Sequence, residues 1–214
     1  MFLKYVYILM LCLVFKLNIA QVYFNNRYDL FTKADASADI YVKDSSYFVS
    51  CGGLDITASN LSLSIIKLNK YGVVNKAKHY FKNNNWFYTG LGNSTCQLND
   101  SVLVSTGYRV GSGSSKSYIY WYKDNLDSIR YTEYGFVNRE NVVYNILHDY
   151  MGHFYQVGYI DSSNTNSDIL LIKTDTSGNE IWKKKIGLPN YDETAWCIKI
   201  SSDNKLLICG RSEE

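Results

Sequence analysis

Proline is nearly missing: this chain of 214 residues has one. With 20 tyrosines and 15% aromatic residues, it is not a disordered, proline-rich or collagen-like polymer. Histidine is scarce as well. His79, His148 and His153 have no third ligand at a metal-binding spacing, so no metal site is expected. Beyond residue 20 there are four cysteines, Cys51, Cys96, Cys197 and Cys209, and none forms the C-x-x-C of a zinc module. No stretch keeps an apolar period of 3.6, which excludes helical repeats. The flexible run Gly111 to Ser115 lacks the Lys and helix of a phosphate loop and does not fit a Gly-x-Ser-x-Gly nucleophile elbow.

A large excess of one charge is absent too. The only basic run is Lys183-Lys184-Lys185, whose members alternate between the faces of a strand and read as a solvated edge. The first twenty residues have the pattern of a secretory signal. Lys4 gives positive charge, Tyr5 to Phe15 is almost wholly apolar, and Ala20 precedes a cut at Gln21. The apolar run is short against the roughly 20 residues needed to span a bilayer, so no stable membrane insertion is expected after cleavage. Leu11 before Cys12 is too large for a lipoprotein signal. Loss of Lys4 and Lys16 brings the 22 basic residues level with the 20 acidic ones. A neutral chain argues against a nucleic-acid partner. Export would permit disulfides. Cys51 and Cys209 hold equivalent places in different repeats, so buried free thiols are expected.

The repeat is the strongest signal present. Gly52, Gly107, Gly158 and Gly210 follow YFVSC, SVLVST, HFYQV and KLLIC, at intervals of 55, 51 and 52 residues. Lys67, Trp121 and Lys173 form a second set, at intervals of 54 and 52. Two sets of markers keeping one period argue for a repeat architecture. Each unit reads as a short strand, a polar turn, a second strand ending at the glycine, a polar loop, a third strand, a turn and a fourth strand. The clearest unit is DILLIKTDTSGNEIWKKKIG, Asp168 to Gly187. Its turn, Asp175 to Gly178, matches Asn69 to Gly72 and Lys123 to Leu126. The loops are expected at Leu54 to Asn60, Arg109 to Ser117 and Tyr159 to Ser167. Four short antiparallel strands in about 50 residues is the plan of a β-propeller blade. The expected fold is all-β, with three complete blades and a partial fourth over residues 21–214 behind a signal peptide at 1–20. Gln21 to Tyr28 resembles an outer fourth strand. An incomplete ring is expected to be a fragment of a larger propeller and, if isolated, to self-associate as an open arc.

Residues 168–210 also resemble the blades of secreted bacterial β-propeller repeat proteins. Many of those proteins carry a C-terminal sorting domain for type IX secretion, and none is expected within residues 21–214, which the repeat fills. Residues 40–90 and 95–140 match more loosely, with Trp121 where the pattern has Lys. The resemblance implies a propeller and an exported, cell-surface or secreted location, and it is nearly silent on activity.

Candidate chemistry is sparse. His148-Asp149 reads as an exposed turn pair, and Asp44, Asp100, Asp149 and Asp203 as residues of the turns between first and second strands. Asp161 to Asp168 is oxygen-rich but lacks the glycine and bidentate glutamate of an EF-hand loop. Asn60, Asn93 and Asn99 head glycosylation sequons, which matter only in a eukaryotic host. Trp86-Phe87-Tyr88 and Tyr118 to Tyr122 are dense in aromatics. Packing between blades accounts for most of them, and the rest are candidates to line a sugar- or peptide-binding surface. The expected function is an exported, non-enzymatic binding or scaffold module for a protein or glycan ligand, with no cofactor. The alternative is a propeller enzyme, a quinone-dependent dehydrogenase or polysaccharide lyase, which needs charged residues from several blades converging at one mouth.

Overall fold

The computed structural model describes residues 34–54, 61–80, 85–111, 114–149, 151–162 and 166–214. The signal sequence and the Gln21 to Tyr28 segment lie outside the described residues. Among these residues every regular element is a strand. The first sheet, A, contains β1 (Ala34–Lys43), β2 (Ser46–Leu54), β3 (Leu61–Asn69) and β4 (Val74–Tyr80), paired in sequence order. Sheet B contains β5 (Trp86–Thr89), β6 (Thr95–Asn99), β7 (Val102–Gly111), β8 (Ser114–Lys123) and β9 (Ser128–Tyr134). Sheet C contains β10 (Asn141–His148), β11 (His153–Ser162), β12 (Asn166–Asp175) and β13 (Glu180–Ile186), and sheet D contains β14 (Asp192–Ile200) and β15 (Leu206–Glu213). All pairings are antiparallel. The protein is thus all-β and built from propeller-type blades: sheets A and C have four strands, sheet B has five because its first strand is split into β5 and β6, and sheet D has two. The described blades follow one another as an arc and do not close into a ring.

Blades stack face to face, and this explains the apolar runs. In β8, Tyr118, Tyr120 and Tyr122 face sheet A, where they pack with Phe48, Leu63 and Ile65, and Phe87 of β5 joins the same cluster. Ile119 and Trp121, which alternate with them, face sheet C and pack on Val143, Ile146, Phe154 and Leu170. In β12, Leu170 and Ile172 face B, whereas Leu171 joins Tyr155, Val157, Ala195 and Ile198 between C and D. Strands covered on both faces need apolar residues at every position, unlike half-exposed strands, which alternate.

The repeat glycines do not end their strands. Each lies within one, and the second strand runs on for two to four residues. Each stands opposite a bulge in the first strand. Gly52, Gly158 and Gly210 pair with Ala36, Val143 and Ala195, and one residue near that pairing, Ala38, Tyr144 or Trp196, has no partner. A Cβ on Gly158 would lie 1.9 Å from the Val142 carbonyl oxygen, one on Gly210 1.8 Å from that of Thr194, and one on Gly107 2.1 Å from that of Tyr88. In sheets B, C and D a first-strand carbonyl thus comes close to the glycine, and only glycine leaves room for it, whereas a Cβ on Gly52 would meet only the Leu61 side chain. Extension past the glycines also shortens the expected loops. Gly111 and Ser114 pair directly, as do Ser162 and Asn166.

The turns after the third strands of sheets B and C join those blades to the preceding one, and the turn of sheet A has the same hairpin closure. Each closes with a bond from its fourth to its first residue: Gly72 to Asn69, Leu126 to Lys123, Gly178 to Asp175. The fourth residue is left-handed in each, with φ of 75°, 65° and 86°. In sheet B the turn carbonyls accept bonds from sheet A: Lys67 Nζ donates to Asp124 O at 3.0 Å, Lys76 Nζ to Asn125 O at 2.6 Å and Tyr80 Oη to Leu126 O at 2.8 Å. The equivalent turn of sheet C accepts from sheet B, with Arg130 Nη2 donating to Thr176 O at 3.1 Å and Tyr134 Oη to Gly178 O at 2.8 Å. Tyr80 and Tyr134 occupy the same register position in β4 and β9.

Candidate binding site

The first strand of sheet B is broken in two. Where the other sheets have one bulge residue, β5 and β6 are separated by Gly90-Leu91-Gly92-Asn93-Ser94, and both halves pair with β7. This loop lies between the inner strands of sheets A and C. Gly92 N donates to Ala38 O of β1 at 3.1 Å, while Leu91 N donates to Tyr144 O of β10 at 2.9 Å. Asn145 Nδ2 donates to Gly92 O at 2.8 Å. Asp39 of β1 accepts from Asn93 N at 3.0 Å, Ser94 Oγ at 3.1 Å and Thr95 N at 2.8 Å. A Cβ on Gly90 would sit 2.2 Å from Tyr144 O, so the loop can approach β10 only with glycine there.

Beside this loop is a cleft of about 300 Å³, lined by Ala38, Gly52, Leu91, Tyr88, Tyr108 and Tyr144 among others. Its aromatic wall continues beyond the cleft. Tyr88 and Tyr108 stack at 4.8 Å between ring centroids, Tyr108 meets Tyr144 edge-on at 6.5 Å, and Tyr144 meets Tyr159 at 6.2 Å. All four rings are partly exposed. Their places follow from the repeat. Tyr108 and Tyr159 each follow a repeat glycine, Tyr144 is a bulge residue, and Tyr88 is opposite Tyr108. In sheet D the same two places hold Trp196 and Arg211.

Burial raises the Tyr108 phenol to about 12, aided by the neighbouring Tyr144, Tyr88 and Glu140. Burial also raises Tyr144, against the opposing pull of Arg211. Tyr159 is pushed up by burial, with Tyr144, Glu140 and Tyr108 adding to it. Arg211, Glu140 and Asp161 flank the row. It presents ring surface and hydroxyls side by side.

A second cleft, about 510 Å³, opens between sheets A and B at their outer strands, lined by Tyr80, Tyr120, Tyr131, Lys78, His79 and Arg130 among others. Ser64 Oγ and His79 Nδ1 are 2.9 Å apart, and Ser62 Oγ is 3.2 Å from Ser64 Oγ. Ser64 has no exposed surface, so its hydroxyl holds the His79 ring rather than meeting a substrate. Lys78 pairs with Asp127 at 3.6 Å, and the Arg130 guanidinium lies over Trp121 at 4.4 Å. Its cations are thus committed to the fold.

The aromatics singled out in the sequence divide accordingly. Phe87 and Tyr118 to Tyr122 are buried between blades, while Tyr88 joins the row. Tyr108, Tyr144 and Tyr159 were not legible as a set, although two of them directly follow a repeat glycine. His148-Asp149 is not an exposed pair. Both are 8% exposed. His148 Nδ1 lies 3.0 Å from Gln97 O, and its ring packs on Phe154 at 5.0 Å. Asp149 instead accepts from Met151 N at 2.8 Å and His153 N at 2.9 Å, and meets His153 Nδ1 at 2.8 Å. Asp44, Asp100, Asp149 and Asp203 do lie in or beside the turns between first and second strands. Asp161 accepts from Glu140 N at 2.8 Å and Asp168 pairs with Lys185 at 2.9 Å. No group of three or more His, Cys, Asp or Glu suited to a metal ion occurs among the described residues. None of the four described cysteines is in a disulfide; Cys51 is buried, but Cys209 is exposed, because no further blade covers its face of sheet D among the described residues. No protein-family model matches the chain, and no curated protein matches its sequence.

Proposed function

We propose that the protein is an exported, non-enzymatic binding module that holds an extended, largely neutral glycan along the tyrosine row. The observation that carries this reading is the contact chain Tyr88–Tyr108–Tyr144–Tyr159, which runs across two blades and is partly exposed throughout. Tyrosine suits such a surface. Its rigid ring covers the C–H face of a sugar at small entropic cost, and its hydroxyl bonds to sugar hydroxyls. Arg211 and Glu140 beside the row add a donor and an acceptor. Export is supported by the charged and apolar pattern of residues 1–20.

The test is calorimetric titration of the protein with hexamers of β-1,4-glucan, β-1,4-xylan and chitin. Binding of at least one is expected. Tyr108→Ala should weaken it by more than tenfold, the effect of losing a central aromatic anchor. Lack of binding to all three, or equal binding by Tyr108→Ala and Tyr144→Ala variants that unfold normally, would overturn the reading.

A further inference from the structure

We infer that Cys197 and Cys209 form an intrachain disulfide across β14 and β15 once the chain meets a disulfide oxidant. The two residues are direct partners in the antiparallel register. Residues so placed have Cα atoms roughly 4.5 or 5.5 Å apart, and both values fall within the approximate 4.4–6.8 Å that a disulfide spans. Both side chains point the same way. Ile198 and Ile208, their neighbours and also register partners, face sheet C in the core, so Cys197 and Cys209 share the opposite face. That face is open among the described residues: Cys209 is exposed and Cys197 partly so. A thiolate of one and an approaching oxidant can therefore meet.

The other two described thiols cannot compete. Cys51 is buried in sheet A and its Sγ is 3.6 Å from Ser64 O. Cys96 lies in β6 of sheet B, where burial pushes its thiol well above the usual range. The exchange balances with oxidised glutathione as acceptor. The Cys209 thiolate attacks one sulfur of glutathione disulfide, forming a mixed disulfide and releasing one glutathione thiol. The Cys197 thiolate then attacks Cys209 Sγ and expels the second. Two thiol protons are lost, and two electrons reduce one glutathione disulfide to two thiols. The bond would join the two strands of the blade with the fewest described partners. It rests on register and is independent of the glycan reading and of export.

The test uses the full chain in a glutathione redox buffer, followed by alkylation, tryptic digestion and mass spectrometry without reduction. Cleavage after Lys185, Lys199, Lys205 and Arg211 puts the two cysteines on separate peptides, 186–199 and 206–211. The expected product is these peptides joined, two hydrogens lighter than their sum, from protein that runs as a monomer on a non-reducing gel. Cys209→Ser should abolish the joined peptide and leave Cys197 alkylated or carrying glutathione. Stable glutathione adducts on both cysteines of one chain, a link between chains, or full alkylation of both in excess oxidant would each overturn the inference.

Discussion

One methyl group separates tolerated from forbidden at the repeat glycines. A Cβ at Gly158 would collide with the backbone carbonyl of Val142, whereas at Gly52 it would meet only the Leu61 side chain, at 3.0 Å. Backbone cannot move aside without breaking the bulge, but a leucine can change rotamer. Gly158→Ala is therefore expected to lower stability by about 1–3 kcal/mol or more, and Gly52→Ala to stay within about 1 kcal/mol of the parent. Urea unfolding midpoints compare the two. Asp149 gives a second prediction at this scale. Burial raises its pKa, but bonds from the His153 backbone, the His153 ring and the Met151 backbone outweigh it, and the net shift is downward. A carboxylate lowered in the folded state stabilises the protein above its unfolded pKa of about 3.9, and that stability is lost as pH falls through the folded value. Between about pH 5 and pH 3 the parent should thus lose more stability than Asp149→Asn. Unfolding curves at both values check it. The variant should bind at the tyrosine row as the parent does.

At the scale of elements, the turns after the third strands of sheets B and C show how blades are joined. Their first and fourth residues close the hairpin, and their carbonyls accept bonds from the preceding blade. Leu126 shows what this geometry requires. It holds a left-handed φ of 65° where the other two complete blades have glycine, yet it is fully buried between sheets A and B. Burial of the leucine offsets the backbone strain, which is of order 1–3 kcal/mol. Tyr134→Phe should remove the buried bond to Gly178 O and leave the ring packing unchanged. The expected loss is about 1 kcal/mol, read from unfolding midpoints, with no change in the fold by circular dichroism.

For the molecule as a whole, stability should rank by how many blades cover each strand. β8 and β12 are buried on both faces, whereas β15 is mostly exposed. Amides in strands with few buried contacts open at low free energy. Hydrogen exchange is therefore expected to be slowest in β7, β8, β11 and β12 and fastest among the strands in β15. Uniform protection across all four sheets would contradict this ranking.

Strand content, the four-strand unit, its period and its turns were legible in the sequence because they depend on local chemistry. Short runs rich in β-branched and aromatic residues favour strands over helices, and clusters of Asp, Asn and Gly favour tight turns. Gly52, Gly107, Gly158 and Gly210 also revealed the period, but not their purpose, since the carbonyls that exclude a side chain at Gly107, Gly158 and Gly210 come from another strand. What only the tertiary structure decided concerns which face each residue takes and what approaches it. Tyr118 and Tyr88 are both tyrosines in aromatic runs, yet one is buried between blades and the other lies in the exposed row. Asp149 lies next to His148 in sequence and bonds to His153. The row itself joins residues 88, 108, 144 and 159, brought together by one interrupted strand and one blade interface. Such contacts depend on register and stacking, which no local pattern encodes.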